Sequence, residues 1–164
     1  MQAGSEFHGI TLHSQLDTPS AAVAEAVIAL WTRTGILPPR IAPQERVRQV
    51  VLAALAGDGR AVGVNTVYAG HLPRLDPEVP PASCHYYRMF IEPAHRRPHL
   101  MRAMTTAAYE VLRRHRTPDG PSCFAIVTDN MALTRAGMLR LFARHGYVVR
   151  ARLRNGALLI VKPY

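Results

Sequence analysis

The order of strand-like and helix-like patterns between residues 84 and 128 most constrains the fold of this chain. The run HYYRMFI predicts a strand, the segment from Pro98 to about His115 repeats apolar residues at helical spacing, and CFAIV predicts a strand buried on both faces. A strand, a helix and a further strand in succession form a crossover that joins neighbouring parallel strands. The sequence therefore predicts a mixed sheet with at least one parallel pair.

Several segments predict elements before this crossover. Residues 7–12 predict a first strand, and Thr18 followed by Pro19 predicts the start of a helix that ends at Gly35. A short second helix is expected near Pro43. The runs VVLAAL and AVGVNTVY flank a Gly-Asp-Gly turn, which favours a hairpin over a continued helix.

After the crossover the sequence predicts one helix and a second hairpin. Asp129 or Asn130 is expected to cap the helix, which ends at Gly146. The runs YVVRARL and ALLIVK flank Asn155 and Gly156, a pair typical of a two-residue turn. The order is thus β-α-α-β-β-β-α-β-α-β-β, an α/β (α+β) fold whose mixed, mostly antiparallel sheet has about seven strands and about four flanking helices.

The length of 164 residues and the apolar content of 48% are those of one domain with a core. Residues 8–164 are predicted to form that domain, and residues 1–7 to be a flexible terminus or a tag remnant. No run is apolar enough for a bilayer or a signal peptide, which predicts a cytoplasmic protein without a membrane partner. Cys84 and Cys123 are expected to be reduced, with Cys123 in the core. A proline-rich stretch at residues 71–83 is expected to be a loop.

Basic residues are concentrated in the second half of the chain. The formal net charge is +9, and the part from Cys84 onward holds fourteen basic and four acidic residues, with no acid after Asp129. Such a surface either attracts anions, which include nucleotide phosphates, nucleic acid and acidic proteins, or is simply solvated.

The motifs around the crossover resemble those of the GCN5-related N-acetyltransferase (GNAT) superfamily. That family has a strand ending in a hydrophobic-x-Pro segment, then Arg/Gln-x-x-Gly-x-Gly/Ala and a helix, and this chain has Ile91, Pro93 and Arg96 in register. Downstream the family has a buried strand, an Asn, and a helix that ends in Gly-Phe or Gly-Tyr, as in FAIVTDN and LFARHGY here. The resemblance covers about residues 8–162.

The resemblance implies an acyl-CoA-dependent N-acyltransferase, with acetyl-CoA or another acyl-CoA as co-substrate and a small-molecule or peptide amine as acceptor. It places the pantetheine arm and the thioester carbonyl along the backbone of Met89, Phe90 and Ile91, and the pyrophosphate at the following turn and helix start. The residues implied there are Arg96, Arg97, Pro98, His99, Leu100, Met101 and Arg102. Asn130 either holds the cofactor or caps its helix.

His99 and Met101 occupy the two positions where the family has small residues. Glycine lets a phosphate approach the backbone and allows dihedral angles that a Cβ disfavours, so these side chains count against a standard cofactor site. In its favour, Pro98 suits the first helical position, and the three arginines of the stretch can supply charge-assisted hydrogen bonds. His95 and His99 form no metal motif, because a proline separates them and no carboxylate follows, so no metal is expected.

Proton transfer is predicted for His85, Tyr87 and Glu92, on and beside the strand that leads into the turn. The family commonly uses a Tyr four residues before the helix-ending Gly, and this chain has Phe142 there, which donates no proton. Two alternative functions therefore stand beside the enzyme: an inactive GNAT-like binding or regulatory module, and an RNA-directed acetyltransferase-like protein that uses the basic second half. The exposed edge of the last hairpin also allows a homodimer.

Overall fold

The strands and helices follow one another in the predicted order. The structure, a computed structural model, describes residues 9–74 and 81–164. Its strands are β1 (Ile10–Ser14), β2 (Val50–Ala56), β3 (Ala61–His71), β4 (Ser83–Ile91), β5 (Cys123–Thr128), β6 (Val148–Arg152) and β7 (Leu158–Pro163). Its helices are α1 (Ala21–Thr34), α2 (Pro43–Arg46), α3 (Pro98–Arg114) and α4 (Ala136–Arg144). Among the described helices, none has the length and apolar character needed to cross a membrane.

The seven strands form one hydrogen-bonded sheet of order β1-β2-β3-β4-β5-β7-β6. β4 and β5 are parallel, with pairs from Cys84↔Cys123 to Tyr87↔Ile126, so the predicted crossover is present. β1 with β2, β2 with β3, β5 with β7 and β6 with β7 are antiparallel. The sheet is therefore mixed and mostly antiparallel, as the sequence predicted.

The backbone contacts divide the chain into two compact units. Within the described residues, the first consists of the chain up to Val67 together with Arg88–His115, and the second consists of Tyr68–Tyr87 together with Arg116–Tyr164. Of the predicted catalytic residues, Glu92 therefore belongs to the first unit, whereas His85 and Tyr87 belong to the second.

In the first unit, β2 and β3 are buried on both faces. One core cluster joins them to α1, and its buried members are Val23, Val27, Leu30, Trp31, Val50, Ala53, Ala61 and Val64. A second cluster joins them to α3, and its buried members are Leu52, Ala54, Val62, Ile91, Leu100 and Met104. Successive strand residues point to opposite faces, which is why the neighbours Ala53 and Ala54 belong to different clusters.

The start of α1 differs from its prediction. The N-cap is Ser20, whose hydroxyl accepts from the Val23 N–H at 3.4 Å, and not Thr18. The Gln15 side chain fixes this residue, because its Oε1 accepts from the Ser20 N–H at 2.8 Å and its Nε2 donates to the Ser20 carbonyl at 3.0 Å. The helix ends at Gly35, which has a left-handed φ of 61°, as predicted.

The β2–β3 and β6–β7 hairpins share one turn geometry. In the second, the Leu153 N–H donates to the Ala157 carbonyl at 2.8 Å, which leaves residues 154–156 between the paired ends. The predicted two-residue turn is therefore wrong. A turn of this length needs a left-handed residue in its last position, and Gly156 supplies it with φ 85°.

The proline-rich loop is closed by a backbone bond. The Leu72 N–H donates to the Ala82 carbonyl at 2.9 Å, between the end of β3 and the start of β4. Residues 75–80 of this predicted loop, and the predicted terminus at residues 1–7, lie outside the described residues.

The core of the second unit lies between β4, β5 and β7. One buried cluster there consists of Cys84, Cys123, Ala125, Leu159 and Val161, so the prediction of a buried Cys123 is confirmed. α4 starts later than predicted, with Arg135 as N-cap and Ala136 as its first residue. The reason is that Asn130 Oδ1 accepts from the Ala132 N–H at 2.9 Å, which forms a local turn in place of a helix cap.

Candidate active site

The turn that follows β4 is held by its own backbone and by one arginine. The Glu92 N–H donates to the Val62 carbonyl of β3 at 2.9 Å, and the His95 N–H donates to the Glu92 carbonyl at 2.9 Å. Arg96 Nε donates to the Ile91 carbonyl at 2.9 Å. Arg96 therefore uses part of its guanidinium to close the turn.

α3 begins without a side-chain cap. Its N-cap residue, Arg97, has an extended backbone (φ −127°, ψ 139°), Pro98 holds the first helical position, and the first turn contains no acid. The Met101 N–H makes the first helical bond, to the Arg97 carbonyl at 3.0 Å. The N–H groups of His99 and Leu100 precede that bond and have no acceptor within the helix, which is the arrangement that binds anions at helix starts.

The two positions where small residues were expected lie inside α3. Because helical backbone angles suit any L-residue, neither His99 nor Met101 needs the dihedral freedom of glycine. The Met101 side chain is half-buried and packs against the α3 core cluster, whereas the His99 side chain is exposed. Met101 thus directs its bulk into the core, and His99 presents an imidazole to solvent at the helix start.

The end of β4 is fixed by alternating contacts. Met89 packs against the α3 cluster, which contains the buried Ile91, and Phe90 packs against the α1 cluster. Side chains on both faces therefore hold the strand backbone that the resemblance assigns to the pantetheine arm.

Glu92 is the centre of an ion-pair cluster. Arg33 Nε at the end of α1 donates to Glu92 Oε1 at 2.8 Å, and Arg60 Nη1 before β3 donates to Oε2 at 3.0 Å. His95 Nδ1 lies 3.5 Å from Oε2, and the Glu92 side chain is only 15% exposed. The hydrogen bond from Arg33 is the main cause that holds the pKa of Glu92 below its ordinary value.

A carboxylate paired in this way is a weaker base than a free one. Protonation of Glu92 would break two charge-assisted hydrogen bonds, and the lowered pKa reflects that cost. The geometry favours a structural role, in which Glu92 ties the turn after β4 to α1 and to the β2–β3 hairpin. Its role as a catalytic base stays a prediction.

His85 in the second unit is paired with a tyrosine. Its Nδ1 lies 2.8 Å from the Tyr164 hydroxyl, and the two rings meet edge to face with centroids 5.7 Å apart. Burial lowers the pKa of His85, so the neutral imidazole is favoured near neutral pH. A neutral imidazole is the form that accepts a proton.

Tyr86 and Tyr87 point to opposite faces of β4. Tyr87 is 7% exposed and its ring packs on Phe124 with centroids 4.6 Å apart. Tyr86 stacks on Tyr68 at 5.1 Å, its hydroxyl donates to the His71 carbonyl at 2.8 Å, and burial raises its pKa to about 12. The burial of Tyr87 favours a place in the core, and its catalytic role stays a prediction.

Two further predicted positions lie in the second unit. Asn130 is exposed and its amide oxygen is used by the local turn before α4. Phe142 is half-buried and its ring meets that of Tyr147 edge to face, with centroids 5.4 Å apart.

Three hydrogen-bond partners of the predicted residues Glu92 and His85 were absent from the sequence-based prediction: Arg33, Arg60 and Tyr164. They lie 59 and 32 residues from Glu92 and 79 residues from His85 along the chain. No local pattern relates positions so far apart, so only the folded chain reveals these pairs.

No protein-family model matches this sequence, and no curated protein matches it. Solved structures do. A bacterial toxin superposes with a TM-score of 0.61 and 14% identity over 94% of this chain and 90% of its own. A GNAT-family acetyltransferase from Streptococcus pneumoniae superposes with a TM-score of 0.59 and 14% identity, over 94% of this chain and 99% of its own. Arabidopsis thaliana NAA60, in complex with acetyl-CoA, superposes with a TM-score of 0.60 and 14% identity, over 94% of this chain and 99% of its own.

These similarities extend over nearly the whole of each chain. The protein therefore has the fold of the GNAT acetyltransferases, as its central motif predicted. At 14% identity the similarity establishes the fold alone.

Proposed function

We propose that the protein is an acyl-CoA-dependent N-acyltransferase that transfers an acetyl group from acetyl-CoA to an amine. The observation that carries this proposal is the uncapped start of α3, which follows the turn after β4 in a GNAT fold and is flanked by arginines. Acetyl-CoA is the expected co-substrate, and another acyl-CoA is the alternative.

The pyrophosphate of the co-substrate is proposed to bind at the start of α3. The N–H groups of His99 and Leu100 have no acceptor in the helix, and the positive end of the helix dipole favours an anion there. Arg97 and Arg102 are both exposed and supply the charge. Arg96, whose Nε is bound to the Ile91 carbonyl, is proposed to fix the turn.

The remaining assignments follow the family. The backbone of Met89, Phe90 and Ile91 is proposed to bind the pantetheine arm and to polarise the thioester carbonyl. Pro98 and Met101 shape the helix start without touching phosphate. Asn130 remains a candidate contact for the co-substrate.

Acetyl transfer requires a base that accepts the proton of the amine. His85 is the proposed base, because its lowered pKa favours the neutral form and Tyr164 orients its ring. Tyr87 and Glu92 are weaker candidates, the first because it is buried and the second because it is paired with arginines. The acceptor is proposed to be a small molecule or a peptide with a primary amine.

The first test is calorimetric titration of acetyl-CoA and of CoA, with the melting temperature followed in parallel. We expect micromolar binding that Arg102→Glu weakens about tenfold or more, since one favourable ion pair becomes a repulsion. Arg48→Glu is the matched control, because Arg48 is exposed and lies far from α3 in sequence. Equal affinities of the two variants would refute binding at the start of α3.

The second test measures thiol release from acetyl-CoA with a panel of amines. His85→Gln should lower kcat strongly and leave the affinity for acetyl-CoA unchanged. The presence of Phe142 at the family's usual acid position favours one other function, a GNAT-like module that binds CoA without turnover. Binding without thiol release for any amine would support that module and refute the enzyme.

A further inference from the structure

β6 is an edge strand whose first half has exposed side chains. It is the last strand of the sheet, and β7 is its hydrogen-bonded neighbour. Val148 and Val149 are 57% and 43% exposed, and because successive strand residues alternate, both faces of β6 are exposed at these two positions. A free strand edge with aliphatic side chains is a template for an added strand.

The surroundings of β6 in sequence are strongly basic. Exposed arginines lie at the start and along α4, on β6 and in the turn after it: Arg135, Arg140, Arg144, Arg150, Arg152 and Arg154. None of them takes part in an ion pair formed by the described residues. The chain has no acidic residue after Asp129, so this region carries no acidic side chain of its own.

A second copy of the chain fits this edge poorly. Two β6 strands would bring Arg150 and Arg152 of both copies into one interface without a carboxylate to balance them. Like charges across neighbouring strands are destabilising. A partner with acidic side chains would gain from the same arrangement.

Nucleic acid also fits the edge less well than a peptide does. On β6 itself the exposed apolar side chains are Val148 and Val149, which give bases no aromatic surface for stacking. A strand edge offers N–H and C=O groups in a row, and an extended peptide satisfies them with its own backbone.

We infer that β6 binds an extended acidic segment of a partner protein, which adds to the sheet as an eighth strand. Its backbone pairs with the free edge of β6 and its acidic side chains bind Arg150 and Arg152. Its apolar side chains, on the opposite face of the added strand, cover one of the two exposed valines, Val148 or Val149. Because β6 is a different element of the chain from α3, this inference assigns the basic second half a role besides co-substrate binding.

The probe is a synthetic peptide of about eight residues, the length of an ordinary strand, with alternating Glu and Val and blocked ends. Fluorescence anisotropy should show binding that weakens as salt rises, and amide hydrogen exchange should show new protection in β6. The double variant Arg150→Glu/Arg152→Glu should lower the affinity for the peptide by about tenfold or more. Arg40→Glu/Arg48→Glu changes the net charge equally in an exposed part of the first unit and should bind like the wild type.

Three outcomes would overturn the inference. One is a failure of the Glu-Val peptide to bind, or equal binding of a Lys-Val peptide of the same length. Another is tight binding of a single-stranded oligonucleotide that the β6 variant loses while the peptide gives no protection in β6. The third is dimerisation of the free protein, by light scattering, that protects β6 from exchange.

Discussion

Arg33 Nε donates to Glu92 Oε1 at 2.8 Å, and this bond joins residues that lie 59 positions apart in the chain. Arg33 also donates to the Ala61 carbonyl, and Arg60 binds the second carboxylate oxygen of Glu92. One carboxylate thus connects α1, the start of β3 and the turn that leads into α3. The position of the proposed pyrophosphate site depends on that turn.

Glu92→Gln should destabilise the protein by about 1–2 kcal/mol at pH 7, because it leaves two arginines without their carboxylate and both partners are partly solvated. The loss is measured as the free energy of unfolding in urea. The folded pKa of Glu92 lies below its ordinary value of 4.5, so the ion pairs stabilise the fold above that pH. The difference between wild type and variant should shrink as the pH falls through the lowered pKa.

Glu25→Gln is the control for this measurement. Glu25 is exposed on α1, and the substitution removes the same charge. Its unfolding free energy should stay within a few tenths of a kcal/mol of the wild type. If Glu92→Gln were equally harmless at pH 7, the cluster would have no structural role.

Arg97→Asp should move stability and co-substrate affinity in opposite directions. Arg97 is the N-cap of α3, has extended backbone angles and makes no capping bond. An aspartate there caps the N–H groups of His99 or Leu100 and should raise the unfolding free energy by about 1 kcal/mol. The same carboxylate occupies the proposed pyrophosphate site, so calorimetry should detect little or no binding of acetyl-CoA.

Arg97→Ala separates the two effects. It removes the guanidinium and adds no cap, so it should weaken acetyl-CoA binding moderately without stabilising the helix. Unchanged acetyl-CoA affinity in Arg97→Asp would show that the phosphate binds elsewhere, whatever the melting temperature does.

The sequence predicted the fold well because most of its strands and helices depend on local sequence patterns. Apolar spacing along α3, the continuous run of β5 and the turn at Gly59 each depend on neighbours a few residues apart. The helix boundaries were less predictable, since they depend on single side chains. Gln15 binds Ser20, which is the N-cap of α1 in place of Thr18, and Asn130 forms a local turn, so that α4 begins after it.

The candidate site was predictable only in part. The turn after β4 and the start of α3 follow from the motif around Pro93 and Pro98, which is contiguous in the chain. The partners of Glu92 and His85 are not contiguous with them, and an arginine at the end of a helix has no feature that marks it as a distant ion-pair partner. The sequence therefore could not show that Glu92 is paired with Arg33 and Arg60.

Two glycines should respond oppositely to substitution by alanine. Gly59 has φ 82° in the β2–β3 turn, a conformation that costs an L-residue about 1–2 kcal/mol, so Gly59→Ala should destabilise the protein by that amount. Gly137 lies in α4, has an ordinary φ, and an added Cβ meets no atom within 4 Å. Gly137→Ala should stabilise the protein by about 0.5–1 kcal/mol, because alanine loses less backbone entropy in a helix. The free energy of unfolding of both variants, measured in urea, tests these two backbone conformations. A stabilising Gly59→Ala would contradict the left-handed φ of Gly59 in the turn.

The two cysteines test whether access or acidity governs thiol reactivity in this protein. Cys84 and Cys123 are 0% and 5% exposed, and the hydrogen bond with Cys84 lowers the pKa of Cys123. A thiol with a lowered pKa ionises more readily and would react quickly if a reagent reached it. Because burial blocks access, we expect no reaction with a disulfide reagent in the native protein and two reacting thiols in urea. Ser122→Cys places an exposed thiol beside Cys123 and should react at once, and a native Cys123 that reacts as fast would show that β5 opens readily.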